Sequence, residues 1–180
     1  EEFLTKKEKL SDLSIQKNEE IIKNLSEQII KLGGKPNLDN KNQKELIKDL
    51  NKQFDQLSVK NILSDKSKNI IKDETINNIK VRFQKIIDLP PKDLRKLIDN
   101  GKKEIAEGII VIFASKDEKI GLAVGVTDKL VNKYDAVKFV KIGSEIIGGK
   151  GGGGRADFAQ AGGTEVDKID DAISKLKTLV

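Results

Sequence analysis

The sequence predicts an α+β protein: an N-terminal helical hairpin or coiled-coil subdomain over residues 1–78, then a small α+β globular domain over 79–180 with a mixed sheet and a glycine-rich loop. Three observations predict it. Apolar residues recur at helical intervals as far as Leu57. From residue 79 the pattern changes to alternation and short apolar runs. Near the end, at 148–163, stands GGKGGGGRADFAQAGG, set between two helical patterns.

In the first part, Ile15, Ile22, Leu25, Ile29 and Leu32 are separated by seven, three, four and three positions, an a/d seam. Gly33 and Gly34 stop this helix, and Pro36 prevents it from resuming nearby. A second helix begins after Asp39 or Asn40, because Ile47, Leu50, Phe54 and Leu57 repeat at three, four and three. Facing the two seams gives a hairpin whose other apolar residues, Ile21, Ile30 and Leu46, need cover. One expectation is a homodimer using Ile15, Ile22, Leu25, Ile29, Leu32, Leu50, Phe54 and Leu57. The other is that segment 61–71, with Ile62, Leu63, Ile70 and Ile71, packs there as a third helix. Residues 72–78 read as the joint to the second part.

IKVRFQKI at 79–86 alternates as a strand with one solvated face. Pro90 and Pro91 introduce a helix that runs through Ile98 and is closed by Asn100 and Gly101. The apolar run GIIVIFAS at 108–115, the polar turn at 116–119 and IGLAVGV at 120–126 make an antiparallel hairpin. A helix over about 135–147 puts Ala136, Phe139, Val140, Gly143 and Ile147 on one face. The last helix starts at Thr164, where T-E-V-D resembles a capping box, and buries Val166, Ile169, Ile173, Leu176 and Val180.

Composition narrows the chemistry. With no Cys and no His, the chain lacks thiolate nucleophiles, histidine acid–base catalysts and the usual zinc ligands. No apolar run approaches a membrane span, and EEFLTKKEKL lacks the apolar region of a signal peptide, so a cytoplasmic location is expected. The absence of any Met fits a fragment of a longer protein. The formal charge of +5 is unevenly spread, +1 over residues 1–78 and +4 over 79–180. The basic excess therefore accompanies the glycine run.

Glycine is costly to order, so its repetition calls for a function. A flexible linker is a weak account, because the run leads straight into a capped helix. A Walker loop fails, since Gly149-Lys150 is followed by Gly151 where Ser or Thr is needed. The formal GxGxxG at Gly149, Gly151 and Gly154 follows a helix and not a strand. A nest remains: successive amides converging on a phosphate, with charge from Lys150 and Arg155 and hydrogen bonds from Gln160. Lys129, Lys133, Lys138 and Lys141 lie just upstream and widen the basic surface, each also explained as a solvated helix residue.

The run GGKGGGGRADFAQAGG, followed by the helix at 165–180, closely resembles the signature of the C-terminal domain of bacterial alanyl-tRNA synthetases, members of the DHH-associated domain family. LPPKDLRKLID, GIIVIFAS and IGLAVGVTDKLV extend the resemblance, and residues 1–78 look like the helical segment that links the editing domain to the C-Ala globule and helps form dimers. Ala156 and Phe158 depart from the Pro and Met common in the family, and the glycine run is one residue longer than usual. The resemblance implies a domain that contacts the outer corner of the tRNA(Ala) L, where the D- and T-loops meet, and bridges the upstream aminoacylation and editing modules of the same chain. By carry-over the contacts fall to Gly149, Lys150, Gly151, Gly152, Gly153, Gly154, Arg155 and Gln160. It implies no catalytic residue, metal site or cofactor in this chain, the parent enzyme using ATP, magnesium and zinc. A related phosphoesterase domain carries a glycine run ending in His, but Arg155 stands at that place and the Asp-His-His metal module is absent. A dimerisation scaffold without RNA contact fits residues 1–78 and leaves the glycine run unexplained.

Overall fold

The computed structural model describes residues 2–40 and 42–180, in two compact units divided between Asn61 and Ile62. In the first unit, α1 (Glu2–Lys31) ends as its spacing predicts: Gly33 takes a φ of 81°, its amide bonds to Ile30 O, and the Gly34 amide reaches back to Ile29 O. This paired closure satisfies the last helical carbonyls. The second helix, α2, spans Gln43–Ser64.

The two helices are not a hairpin. Asn18 Nδ2 donates to Gln43 Oε1 at 3.3 Å, while Asn61 Nδ2 donates to Leu32 O at 3.3 Å, so both ends of α2 match the same order along α1 and the pair is parallel. Residues 35–37 are held to α2 by Gln53, whose Nε2 donates to Lys35 O and whose Oε1 accepts from the Asn37 amide. A connection of nine residues can reach roughly 30 Å, more than enough for the return a parallel pair requires. The seams do face each other: Ile29, Leu46 and Leu50 are buried, with Ile22, Leu25, Phe54 and Leu57 packed against them. Leu46 belongs to this core and not to the outward side, whereas Ile15 and Ile30 are exposed and Leu32 is half-buried.

Segment 61–71 does not form a third helix. Ile62 and Leu63 finish α2, and a turn built on Asp65 accepts bonds from the Ser67 amide and hydroxyl, which hold the Asp65 carboxyl below its usual range. Residues Asn69–Ile76 then form β1, so Ile70, Ile71 and most of the expected joint are sheet. β1 pairs antiparallel with β2 (Ile79–Ile87) around Asn77 and Asn78, both at positive φ as a tight hairpin turn requires.

The sheet continues through β3 (Ile109–Lys116), β4 (Lys119–Val126), β5 (Gly152–Gly154) and β6 (Phe158–Gly163) in the order β1-β2-β3-β4-β6-β5. Only β2 and β3 are parallel, joined by α3 (Leu94–Ile105). That helix runs past Asn100 and Gly101: Gly101 marks close packing, since a Cβ there would lie 2.9 Å from Ile110 Cδ1. On the opposite face, α4 (Ala136–Ile146) and α5 (Ile169–Lys177) cover a core containing Val111, Phe113, Leu122, Val124, Phe139, Ile169 and Leu176. Ala136, Phe139, Val140, Gly143 and Ile147 are all buried, as their spacing predicts. Thr164 does not cap the last helix. Its amide and that of Glu165 bond to Ile147 O, a short 3-10 turn at Val166–Lys168 intervenes, and Val166 is exposed. Ile173 and Val180 are half-buried.

Candidate nucleic-acid interface

The helix α4 begins where the Asp135 carboxylate accepts the Val137 amide, and its apolar face fixes its rotation on the sheet. That rotation points Ser144 inward, where it is wholly buried, and leaves Lys138, Lys141 and Glu145 exposed. Ser144 organises the start of the glycine run. Its carbonyl accepts the Gly149 amide at 2.7 Å, its hydroxyl donates to Gly162 O at 3.0 Å, and the same oxygen accepts the Gly151 amide at 3.3 Å. A side chain at Gly149 would collide with both Gly162 O and Ser144 Oγ.

The glycines after Lys150 are not a nest. Gly152–Gly154 extend as β5 and pair antiparallel with Ala159–Ala161 of β6, and Arg155 and Phe158 exchange both backbone bonds around a two-residue turn at Ala156 and Asp157. An extended strand sends successive amides to alternate sides, whereas a nest converges them on one anion. Alternation in an antiparallel ladder then makes Gly153 and Gln160 the next exchanged pair and turns the amides of Gly152 and Gly154 outward. β5 lies at the edge of the sheet, so these amides face away from it.

The expected contact residues distribute around this edge. Lys150, Gly151, Gly153, Gly154, Arg155 and Gln160 are exposed, and Gly149 and Gly152 are half-buried. Gly149, Lys150, Gly151 and Gly152 line a groove with Lys141 and Glu145 of α4. Gln160 lies on the other face of the sheet, since its register partner Ala123 shares a face with Gly121 and Gly125, the residues that meet α3. Arg155 sits at the turn, its side chain 68% exposed and its Nε 3.3 Å from Asp157 Oδ1. Of the upstream lysines, Lys129 pairs with Glu107 at 3.2 Å and Lys133 lies over the Tyr134 ring, while Lys138 and Lys141 stand one turn apart on the outer side of α4.

Two supports of this edge have no sequence signature of their own. Ser144 is one; the other is a pair of α3 cations. Arg95 lies over the Phe158 ring, 5.2 Å from its centroid, and Lys102 Nζ donates to Asp157 O at 2.8 Å. Their seven-residue spacing along a helix places them on one face, a signal visible only once α3 is known to cover β4. Among the described residues, no cluster of three or more acidic side chains is placed to hold a metal ion, and no helix is long and apolar enough to cross a membrane.

This geometry has close counterparts. Residues 78–180 match the DHHA1 domain family. The alanine–tRNA ligase of Parvibaculum lavamentivorans is 47% identical over 108 residues, and that of Paramagnetospirillum magneticum 41% over 104 residues. These stretches cover 59% and 58% of the chain but only 12% of either relative's length. Among solved structures, the C-Ala domain from Aquifex aeolicus alanyl-tRNA synthetase aligns with a TM-score of 0.57 and 30% identity, covering 60% of this chain and 96% of that one. Likeness of sequence and of fold thus go together, and the chain belongs to the DHHA1 domain family in the form that makes the C-terminal module of alanyl-tRNA synthetases.

Proposed function

We propose that this chain is the non-catalytic C-terminal region of an alanine–tRNA ligase, and that its glycine edge binds tRNA(Ala) at the outer corner of the L. The observation that best supports the reading is the solvent-facing β5 edge, bare of side chains and flanked by Lys150 and Arg155. A strand without side chains allows a sugar–phosphate backbone to approach the outward amides closely, and the two cations supply the attraction. Gln160, able to donate and accept, adds contacts to exposed base edges, in keeping with recognition of folded RNA by shape and unpaired surfaces. Holding one tRNA at its corner couples aminoacylation with editing, because both upstream modules then act on the same bound molecule. ATP, magnesium and zinc serve those upstream modules and not this region.

The test compares the intact tRNA(Ala) transcript with an acceptor-stem minihelix in gel-shift titrations. Binding confined to the full transcript supports corner recognition. Equal or tighter binding of the minihelix contradicts it.

A second activity, homodimerisation, is favoured by a specific observation. Leu10 and Leu13 are each 62% exposed and Ile15 is 44% exposed, on the stretch of α1 that precedes the start of α2 opposite Asn18. Most of the seam residues expected to dimerise, Ile22, Leu25, Ile29, Leu50, Phe54 and Leu57, pack together within one chain, so the dimer contact is assigned to Leu10, Leu13 and Ile15.

A further inference from the structure

We infer that Lys102 is a positioning residue for the RNA-binding hairpin: from α3 it fixes the β5–β6 turn and so sets the direction in which Arg155 is offered. The inference rests on the reading that this hairpin binds RNA. Lys102 lies over β4 where that strand has no side chain, its Cε 2.8 Å from the place a Cβ on Gly125 would occupy. Beyond that gap its ammonium donates to Asp157 O at 2.8 Å. The same carbonyl already accepts the Val126 amide at 2.9 Å, so Lys102 is not needed to rescue an unsatisfied buried acceptor. What it adds is a second direction of restraint on the turn. Ordering a lysine side chain sacrifices more rotamer freedom than ordering almost any other, which argues that the restraint has a use.

The turn is held from several sides at once. Ala136 N donates to Ala156 O at 3.0 Å, Arg155 and Phe158 exchange backbone bonds, and Arg95 lies over the Phe158 ring. Asp157, whose carbonyl Lys102 holds, turns its carboxylate to Arg155 Nε at 3.3 Å. A continuous path therefore leads from the Lys102 ammonium through Asp157 to the Arg155 guanidinium. Lys102 itself is half-buried beneath the turn, whereas Arg155 is exposed.

The experiment uses the full chain with the tRNA(Ala) transcript, measured by fluorescence anisotropy. Lys102→Met keeps the aliphatic stem over Gly125 and removes the ammonium; Lys102→Arg keeps a cation. The expected result is roughly threefold to tenfold weaker binding for Lys102→Met, recovered in large part by Lys102→Arg, with no further loss when Lys102→Met is added to Arg155→Ala. Full additivity with Arg155→Ala would make Lys102 a direct RNA contact, and unchanged affinity alongside reduced thermal stability would make it a purely structural lysine; either overturns the inference. Hydrogen exchange provides a readout independent of RNA. The Val126 amide, bonded to Asp157 O, should exchange faster in Lys102→Met, and unchanged protection would sink the positional claim. Failure of the unmodified chain to bind the transcript would instead remove the RNA reading, leaving the exchange result to decide whether Lys102 sets the turn.

Discussion

At the scale of single residues, the interface separates side chains that face solvent from those that hold the backbone. Lys150 is exposed, and the surface pair of Arg155 with Asp157 contributes at most about 1 kcal/mol to stability. Replacing Lys150 and Arg155 together by Ala is therefore expected to weaken tRNA binding by about tenfold or more while leaving the thermal midpoint nearly unchanged. Anisotropy and calorimetry on the same preparation measure both effects. Ser144 should behave in the opposite way. Ser144→Ala removes the hydroxyl that joins Gly151 to Gly162, and the expected cost is about 1–3 kcal/mol in chemical denaturation, together with weaker binding. The exposed pair was legible in the sequence because cations beside glycines are unusual there. Ser144 was not, because a serine within an amphipathic helix acquires this role only when a distant strand folds back against it.

At the scale of elements, β1 shows how an exposed edge strand is retained. Arg82 on β2 forks onto Asp73 of β1, with Nε 2.7 Å from Oδ1 and Nη2 2.9 Å from Oδ2, and also reaches Glu104 at the end of α3. The hydrogen bonds from Arg82 hold the Asp73 carboxyl below its ordinary value of 3.8, and bonding to Asp73 raises the Arg82 guanidinium. A carboxyl with a lowered folded-state pKa stabilises the fold above its unfolded pKa, and that stabilisation is lost as pH falls through the folded value. Asp73→Ala should therefore be less stable than the unmodified chain near neutral pH, by less than about 1 kcal/mol given the 57% exposure of this side chain. Urea titrations should show the gap narrowing as pH drops below 3.8 and closing below the depressed value. A gap that widens in acid would contradict the assignment. β1 was hidden in the sequence because IIKDETI places two isoleucines next to each other and then polar residues, blurring the period; the clearer sign was Asn77-Asn78 between two isoleucines. The β3–β4 hairpin was readable because its strands are apolar on both faces. The length of α3 is not legible in the sequence because Gly101, which packs closely against Ile110, looks like a stop.

At the scale of the molecule, the charge excess and the exposed α1 stretch each carry an expectation. If phosphate contacts dominate, log affinity for tRNA falls linearly with log salt, the slope growing by about 0.7–0.9 for each phosphate neutralised, and a flat titration would refute an electrostatic interface. For self-association, sedimentation across a concentration series should show a monomer–dimer equilibrium that Leu13→Lys shifts to monomer. A monomer at every concentration would remove the dimer. The faces by which α1 and α2 meet were legible because seam spacing records them, but their relative direction was not, since it depends on the path of the connecting segment. That direction has a mechanical outcome. A hairpin returns the polypeptide to its starting point, whereas here Asn61 emerges beside Leu32, so the backbone advances by the whole rise of a 30-residue helix, about 45 Å. The helical unit is thus a strut of defined reach, and removing one heptad from each helix would shorten it by about 10 Å.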